Sequence, residues 1–338
     1  MNKPKKIIND PKQVVPELLE GLVDAYNGDV QMLEHCRAAL VRKNLKPNKV
    51  GLLVGGGSGH EPLFHGFIGE HMADGAACGN IFAAPPPDVI FNATKAVNRG
   101  KGVLYLYGNY AGDNMNFDIA AEMAEEEGIP VKTVRVWDDV ASAPKHKQSE
   151  RRGIAGDLPL IKIAGGVVAS VPTLGEAADI VTRARDNTCS IGVALSAGSI
   201  PETGKYTFTL PEDELEIGMG VHGEAGVSRE KLIPADLVAE KMVQQLFAEG
   251  IYKSGDSVYL LVNNLGSTTM MECLIVNRKV RKILKAEGID VYDSDVGSYV
   301  TCQEMAGCSI TFTKLDKDLK KFWDLPSSSF GYKKGAHR

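Results

Sequence analysis

The chain has 338 residues, of which 43% are hydrophobic and 24% charged, with a formal net charge of −5. This composition describes a folded protein long enough for two domains, and its acidic balance disfavours nucleic acid and anionic membranes as partners. The basic start Met1-Asn2-Lys3-Pro4-Lys5-Lys6 runs into Ile7-Ile8-Asn9-Asp10, too short an apolar stretch for a signal peptide or a membrane span, so a cytoplasmic protein is expected. Six cysteines (Cys36, Cys78, Cys189, Cys273, Cys302, Cys308) form no C-x-x-C pair. Reduced thiols, and no zinc or other metal site, are expected from that pattern.

In chain order, Asp10-Pro11 followed by Val14, Val15, Leu18, Leu19, Leu22 and Tyr26 predicts a helix with one apolar face. Next comes Val50-Gly51-Leu52-Leu53-Val54-Gly55-Gly56-Gly57-Ser58-Gly59-His60-Glu61-Pro62, an apolar strand that stops in a glycine turn with a histidine at its lip. Glycine permits positive φ there and lets backbone amides approach a ligand. A dinucleotide fingerprint beginning at Gly55 would need glycine where His60 stands, and a P-loop would need Gly-Lys-Ser/Thr where His60-Glu61-Pro62 stands. Neither nucleotide cradle fits, and an uncharged turn ending in an imidazole suits a small hydroxylated or carbonyl compound. A glycine turn that merely joins a strand to a helix is the structural alternative.

The small-residue run Asp74 to Ala84 ending in Pro85-Pro86-Pro87 reads as a second loop. Val103 to Tyr107 predicts a strand, Gly108-Asn109-Tyr110-Ala111-Gly112-Asp113 a loop, Asn116 to Glu127 a helix and Val131 to Trp137 a strand. Ala141 to Asp157, with Lys145-His146-Lys147 and Arg151-Arg152, reads as an exposed loop. Helical spacing returns over Gly175 to Asp186, and a strand follows at Cys189 to Leu195.

The second half repeats this construction without sequence repetition. Glu214-Leu215-Glu216-Ile217 leads into Gly218-Met219-Gly220-Val221-His222-Gly223-Glu224, a second glycine-bracketed histidine. A helix over Pro234 to Glu249, a strand over Ser257 to Val262 ending in Asn263-Asn264-Leu265-Gly266, a helix over Thr268 to Glu287 and a strand near Ser309 to Thr313 complete the chain. Alternating strands and helices predict an α/β protein of two domains, 1–188 and 189–338, each a mostly parallel or mixed sheet flanked by helices.

Four loops, those carrying His60, Asp113, His222 and Asn263-Asn264, follow apolar strands. An imidazole and a carboxylate in one cleft would tune each other's protonation, which makes His60 and Asp113 a candidate acid and base pair. Asp113 is equally a candidate helix cap. The glycines around His222 leave its imidazole open to contact a substrate or to attack a carbonyl, although a lone histidine is more often a structural, hydrogen-bonded residue.

Taken together, Gly55-Gly56-Gly57-Ser58-Gly59-His60-Glu61-Pro62, Asn109-Tyr110-x-Gly112-Asp113-x-x-Asn116-Phe117, Gly218-x-Gly220-x-His222-Gly223-Glu224, Asn263-Asn264-Leu265-Gly266 and Glu304-Met305-Ala306-Gly307-Cys308-Ser309 resemble the dihydroxyacetone-binding (K) subunits of dihydroxyacetone kinases. The match runs in order over nearly the whole chain. It implies a kinase in which a separate nucleotide-binding (L) subunit carries the phosphate donor, ADP/ATP with Mg, while this chain binds no cofactor. It further implies a hemiaminal between the ketose and His222, acid and base roles for His60 and Asp113, and substrate binding by Gly57, Ser58, Gly59, His60, Gly108 and Asp113. A phosphocarrier protein of the phosphotransferase system, or ATP, would recharge the L subunit, and the family suggests a homodimer. Bond formation to a carbonyl selects ketones over polyols such as glycerol more sharply than hydrogen bonds to hydroxyls would. Where relatives often carry lysine before the Asn-Tyr-x-Gly-Asp motif, this chain has Gly108. That change removes a cation and makes room for a larger ketose, so a four-carbon substrate such as erythrulose stands beside dihydroxyacetone. A ketose-sensing coactivator of a transcription regulator is the alternative from another class, as is a sugar-binding protein without phosphoryl transfer.

Overall fold

The computed structural model describes residues 4–26 and 28–336. They form two compact units. One, the glycine-loop unit, comprises Lys5–Arg135, Leu160–Arg183 and the segment from Leu319 onward; the other, the His222 unit, comprises Val136–Pro159 and Ala184–Asp318. The expected single boundary after residue 188 is therefore replaced by several crossings. Asp138 to Val140 join the His222 unit because they run beside the strand at 188–196: the Ser190 N–H donates to the Asp138 carbonyl (2.7 Å) and the Val140 N–H to the Ser190 carbonyl (3.0 Å).

The glycine-loop unit contains α1 (Val14–Ala25), β1 (Val30–Leu33), β2 (Cys36–Arg42), β3 (Lys49–Ser58), β4 (Gly69–Glu70), β5 (Gly75–Ile81), α2 (Pro87–Val97), β6 (Gly100–Gly108), α3 (Ala111–Glu126), β7 (Val131–Val136), and most of α4 (Asp157–Ser170) and α5 (Leu174–Asp186). Its sheet has the order β1-β2-β5-β3-β6-β7. β3 pairs in parallel with both β5 and β6, while β1 and β2 are antiparallel additions at one side. Phe117 of α3 binds this layer together, stacked on Tyr107 at 4.1 Å between centroids and edge-on to Tyr105 at 5.3 Å.

The run at 74–84 is not a loop throughout, because β5 occupies a central place in the sheet. Its small residues are what that place requires: a Cβ on Gly75 would lie 2.7 Å from Val97 Cγ1. α4 presents no apolar stripe because it is buried almost all round. It even buries Lys162, whose Nζ donates to the Leu325 carbonyl (3.0 Å) and lies 5.1 Å from the Trp323 ring centroid.

The His222 unit holds β8 (Thr188–Ser196), β9 (Ser199–Ile200), β10 (Lys205–Tyr206), β11 (Glu214–Ile217), β12 (Ser228–Lys231), α6 (Ala235–Ala248), β13 (Ser257–Asn264), α7 (Met270–Ala286), β14 (Asp290–Gly297) and β15 (Ala306–Lys314). Its main sheet runs β12-β11-β8-β15-β13-β14, with only β13 and β14 parallel. One apolar core joins Ile191, Leu260, Ile310 and Phe312 of the sheet to Met242 and Leu246 of α6 and Val280 of α7. α7 starts on a capping box in which Thr269 and Glu272 satisfy each other's backbone N–H. After α8 (Lys317–Trp323), β16 (Ser327–Ser329) and β17 (Lys333–Lys334) form a small sheet with β4.

Both main sheets are thus mixed and carry helices, the α/β architecture expected. The basic stretch at 145–152 is only partly the exposed loop expected. Residues 145–150 are exposed, but Arg151 is buried and makes two hydrogen bonds to Glu249, at 3.0 and 2.8 Å. No helix among the described residues is long and apolar enough to cross a membrane.

Candidate functional site

In the glycine-loop unit, β3, β5 and β6 run the same way, so their carboxyl ends form one rim, the position at which ligands collect in open α/β sheets. Val54 is in register with Leu106. Gly57 to His60 on one strand and Gly108 on the next therefore leave the sheet at the same end. The turn is built for close approach of backbone: a Cβ on Gly57 would sit 2.7 Å from the Ala83 nitrogen, and Gly59 has φ +104°. The Gly59 N–H donates to Glu61 Oε1 (2.7 Å), which draws the turn closed. Ser58 is 1% exposed and its hydroxyl donates to the Gly79 carbonyl (2.8 Å), so its proton is committed to holding β3 against β5. His60 is buried at 4% exposure, its ring 5.0 Å from that of Phe82.

Asp113 lies on the same rim, in the first turn of α3. The helix begins at Ala111 rather than at 116, with Tyr110 in the capping position, so Asp113 is inside the helix and not its cap. Here a carboxylate meets the positive end of the helix dipole. Two contacts fix this helix start against the loop after β5: Asn116 Nδ2 donates to the Pro85 carbonyl (2.9 Å), and a Cβ on Gly112 would come within 3.3 Å of Ala84 Cβ.

His222 belongs to the other unit, in the turn from Gly218 to Val227 between β11 and β12. Its Nδ1 lies 3.0 Å from Glu224 Oε1 and its backbone N–H donates to Glu224 Oε2 at 2.9 Å. Gly223, at φ +86°, makes that hairpin-like return possible. With Nδ1–H donated to the carboxylate, the tautomer that results carries its lone pair on Nε2. Behind Glu224 stands Arg152, 3.7 Å away, and behind Arg152 the buried Asp139 at 2.8 Å. Burial pushes Glu224 up, but the hydrogen bond and charge of His222 and the charge of Arg152 outweigh it and bring its pKa to about 2. Burial pushes Asp139 up to about 6 against the opposing pull of Arg152.

The fourth loop turns out to be a structural pin. Asn263 is fully buried: its Nδ2 donates to the Val300 carbonyl, and its Oδ1 accepts from the Tyr299 and Val300 N–H groups at 3.0 and 2.9 Å. Asn264 accepts from the Gly266 and Thr268 N–H groups in the same way. Among the described residues no group of three or more His, Cys, Asp and Glu is arranged to hold a metal ion. Phe82, Glu224, Arg152 and Asp139 escaped the reading of the sequence. Glu224 figured in it only as a carboxylate two residues after a glycine-flanked histidine, and Arg152 only within a basic stretch expected to be exposed.

The structure therefore gathers Gly57, Ser58, Gly59, His60, Gly108 and Asp113 on one rim of one unit and gives His222 its own carboxylate support in the other. The Dak1 domain matches residues 20–331. The chain is 43% identical to PTS-dependent dihydroxyacetone kinase 2, dihydroxyacetone-binding subunit DhaK of Listeria innocua, over 95% of this chain and 97% of that one. Among solved structures it resembles the dihydroxyacetone kinase operon co-activator Dha-DhaQ (TM-score 0.88, 32% identity, 95% of this chain and 99% of that one). It is equally similar to the C. freundii dihydroxyacetone kinase in complex with AMP-PNP and Mg2+ (TM-score 0.88, 31% identity, 99% of this chain and 62% of that one). On the strength of a family match spanning most of its length, the chain belongs to the Dak1 domain family.

Proposed function

We propose that this chain is the ketose-binding subunit of a dihydroxyacetone kinase that works with a separate nucleotide-binding subunit. The observation that carries the reading is the His222–Glu224 pair, in which Glu224 at Nδ1 puts the imidazole lone pair on Nε2, the nitrogen that would attack a carbonyl carbon. In the proposed step Nε2 forms a bond to that carbon, the C=O π electrons move to oxygen, the oxygen takes a proton from solvent, and the Nδ1 proton leaves to solvent by way of Glu224, giving a neutral hemiaminal. The proposal assigns proton removal from the ketose hydroxyl to His60 and Asp113, and backbone contacts to Gly57, Ser58, Gly59 and Gly108. That hydroxyl oxygen then bonds to phosphorus as the bond to the donor breaks.

Phosphate, nucleotide and Mg would be carried by the partner subunit, recharged by a phosphocarrier protein or by ATP, and the chain would act as a homodimer. Similarity over nearly full length to a relative named as a binding subunit supports this division of labour. Six cysteines, five of them buried and none in a C-x-x-C pair, fit the reducing cytoplasm as its compartment. The coactivator reading has support too, since that fold neighbour is as close as the kinase. Higher identity to the kinase subunit favours the kinase.

The test offers dihydroxyacetone, erythrulose and glycerol to the chain in native mass spectrometry, then adds a phosphorylated nucleotide-binding subunit. A ketose adduct, no glycerol adduct and transfer of phosphate to the ketose are expected. A ketose adduct without transfer would replace the kinase by the coactivator, and equal binding of glycerol would remove the covalent step.

A further inference from the structure

At the far end of β3 and β6 from the glycine turn lies a cavity of about 230 Å³ lined by Arg42, Lys46, Lys49, Glu70, His71, Asp74 and Arg99, with Met72 and α4 residues Gly165, Val168 and Ala169 as its apolar wall. Lys49 opens β3 and Arg99 precedes β6, and nine residues of strand, about 30 Å, separate Lys49 from Ser58. The cavity is therefore distinct from the rim that carries His60 and Asp113.

Charge in this cavity is out of balance with the acidic chain around it. Four cations, Arg42, Lys46, Lys49 and Arg99, face two carboxylates, Glu70 and Asp74. Two of the cations are committed. Lys49 Nζ donates to the Ala169 carbonyl at 2.7 Å and so offsets the negative end of α4. Arg99 bonds Asp74 at 2.9 Å and the Val50 carbonyl, yet its Nε is buried with no hydrogen-bond partner, on a side chain only 10% exposed. Among the described residues the Arg42 and Lys46 side chains make no hydrogen bond or ion pair. Arg42 and Lys46 are therefore the cations that a ligand in the cavity would meet, while Arg99, whose Nε is closed off from solvent, contributes through its charge.

We infer that this cavity is a binding site for a small phosphate-type dianion. Guanidinium forks beside lysine point charges suit a tetrahedral oxyanion with several acceptor oxygens better than a monovalent carboxylate. The cavity is below the size of drug-sized pockets, which limits the ligand to a phosphate with at most a short organic chain.

Isothermal titration at constant ionic strength tests this with orthophosphate and acetate as probes, on the full chain and on the Arg42→Gln/Lys46→Gln variant. Neither side chain makes a hydrogen bond or ion pair among the described residues, Arg42 acting on the buried Asp74 through its charge alone, and circular dichroism checks that the variant is folded. One saturable phosphate site, at least tenfold weaker in the variant and with acetate binding more weakly than phosphate, is expected. Absence of phosphate binding, unchanged affinity in the variant, or acetate binding as tightly as phosphate would each overturn the inference.

Discussion

Replacing Glu224 by Gln keeps its size but removes the charge that holds His222 Nδ1. A hydrogen bond to a charged group is worth about 1.5–3 kcal/mol, so Glu224→Gln is expected to weaken ketose retention roughly ten- to hundredfold without unfolding the protein, as read by titration with dihydroxyacetone. His222→Ala is expected to abolish retention, and tight ketose binding by that variant would remove the covalent role. Asp113→Asn is expected to retain ketose and transfer phosphate poorly; unimpaired turnover in the coupled assay would take Asp113 out of the chemistry. At this scale the glycine-bracketed histidines were legible in the sequence because glycine clusters announce where backbone must come close. The Glu224–Arg152–Asp139 chain was not, since its members are brought together across β8, β11 and the segment at 138–152 by tertiary pairing alone.

At the scale of elements, Gly57→Ala tests whether the turn is built to its present dimensions. Its Cβ would meet the Ala83 backbone nitrogen at 2.7 Å, and relieving such an overlap costs about 1–3 kcal/mol, expected as a lowered midpoint in thermal unfolding. An unchanged midpoint would mean that the loop after β5 yields easily. The Arg151–Glu249 pair is a second element-level test, because both side chains are largely buried. Arg151→Met leaves Glu249 as a buried charge and should cost about 3–5 kcal/mol, most of it regained in the double variant with Glu249→Leu. A destabilisation below 1 kcal/mol in denaturant unfolding would show that water reaches the carboxylate.

Long amphipathic elements such as α1 and α7, and strands rich in branched residues such as β3 and β13, were readable from periodicity. β5 was not, because a strand of Gly, Ala and Cys has weak intrinsic preference and is specified by the space available between β2 and β3. α4 hid for the opposite reason: a helix buried all round shows no stripe.

For the whole molecule, acid is a direct probe of the support under His222. Glu224 has its pKa lowered from 4.5 to about 2 in the folded state, so the unfolded chain binds more protons between those values. The stability it contributes is present above about pH 4.5 and lost as pH falls toward 2. The loss in that window is expected to be smaller in Glu224→Gln than in the parent chain, measured by denaturant unfolding across pH. The two-unit, mixed-sheet architecture was legible from the alternation of strands and helices, but its division was not. Segments 136–159 and 160–183 cross between units through pairings that no local pattern records.

The central claim is that a ketose is bound to His222 through its carbonyl carbon, and carbon-13 NMR of carbonyl-labelled dihydroxyacetone tests it most directly. In complex with the chain, the labelled carbon should leave the ketone region for that of a tetrahedral carbon bearing oxygen and nitrogen, and His222→Ala should abolish this signal. A bound ketose whose labelled carbon stays in the ketone region, or a tetrahedral signal that survives His222→Ala, would contradict the account.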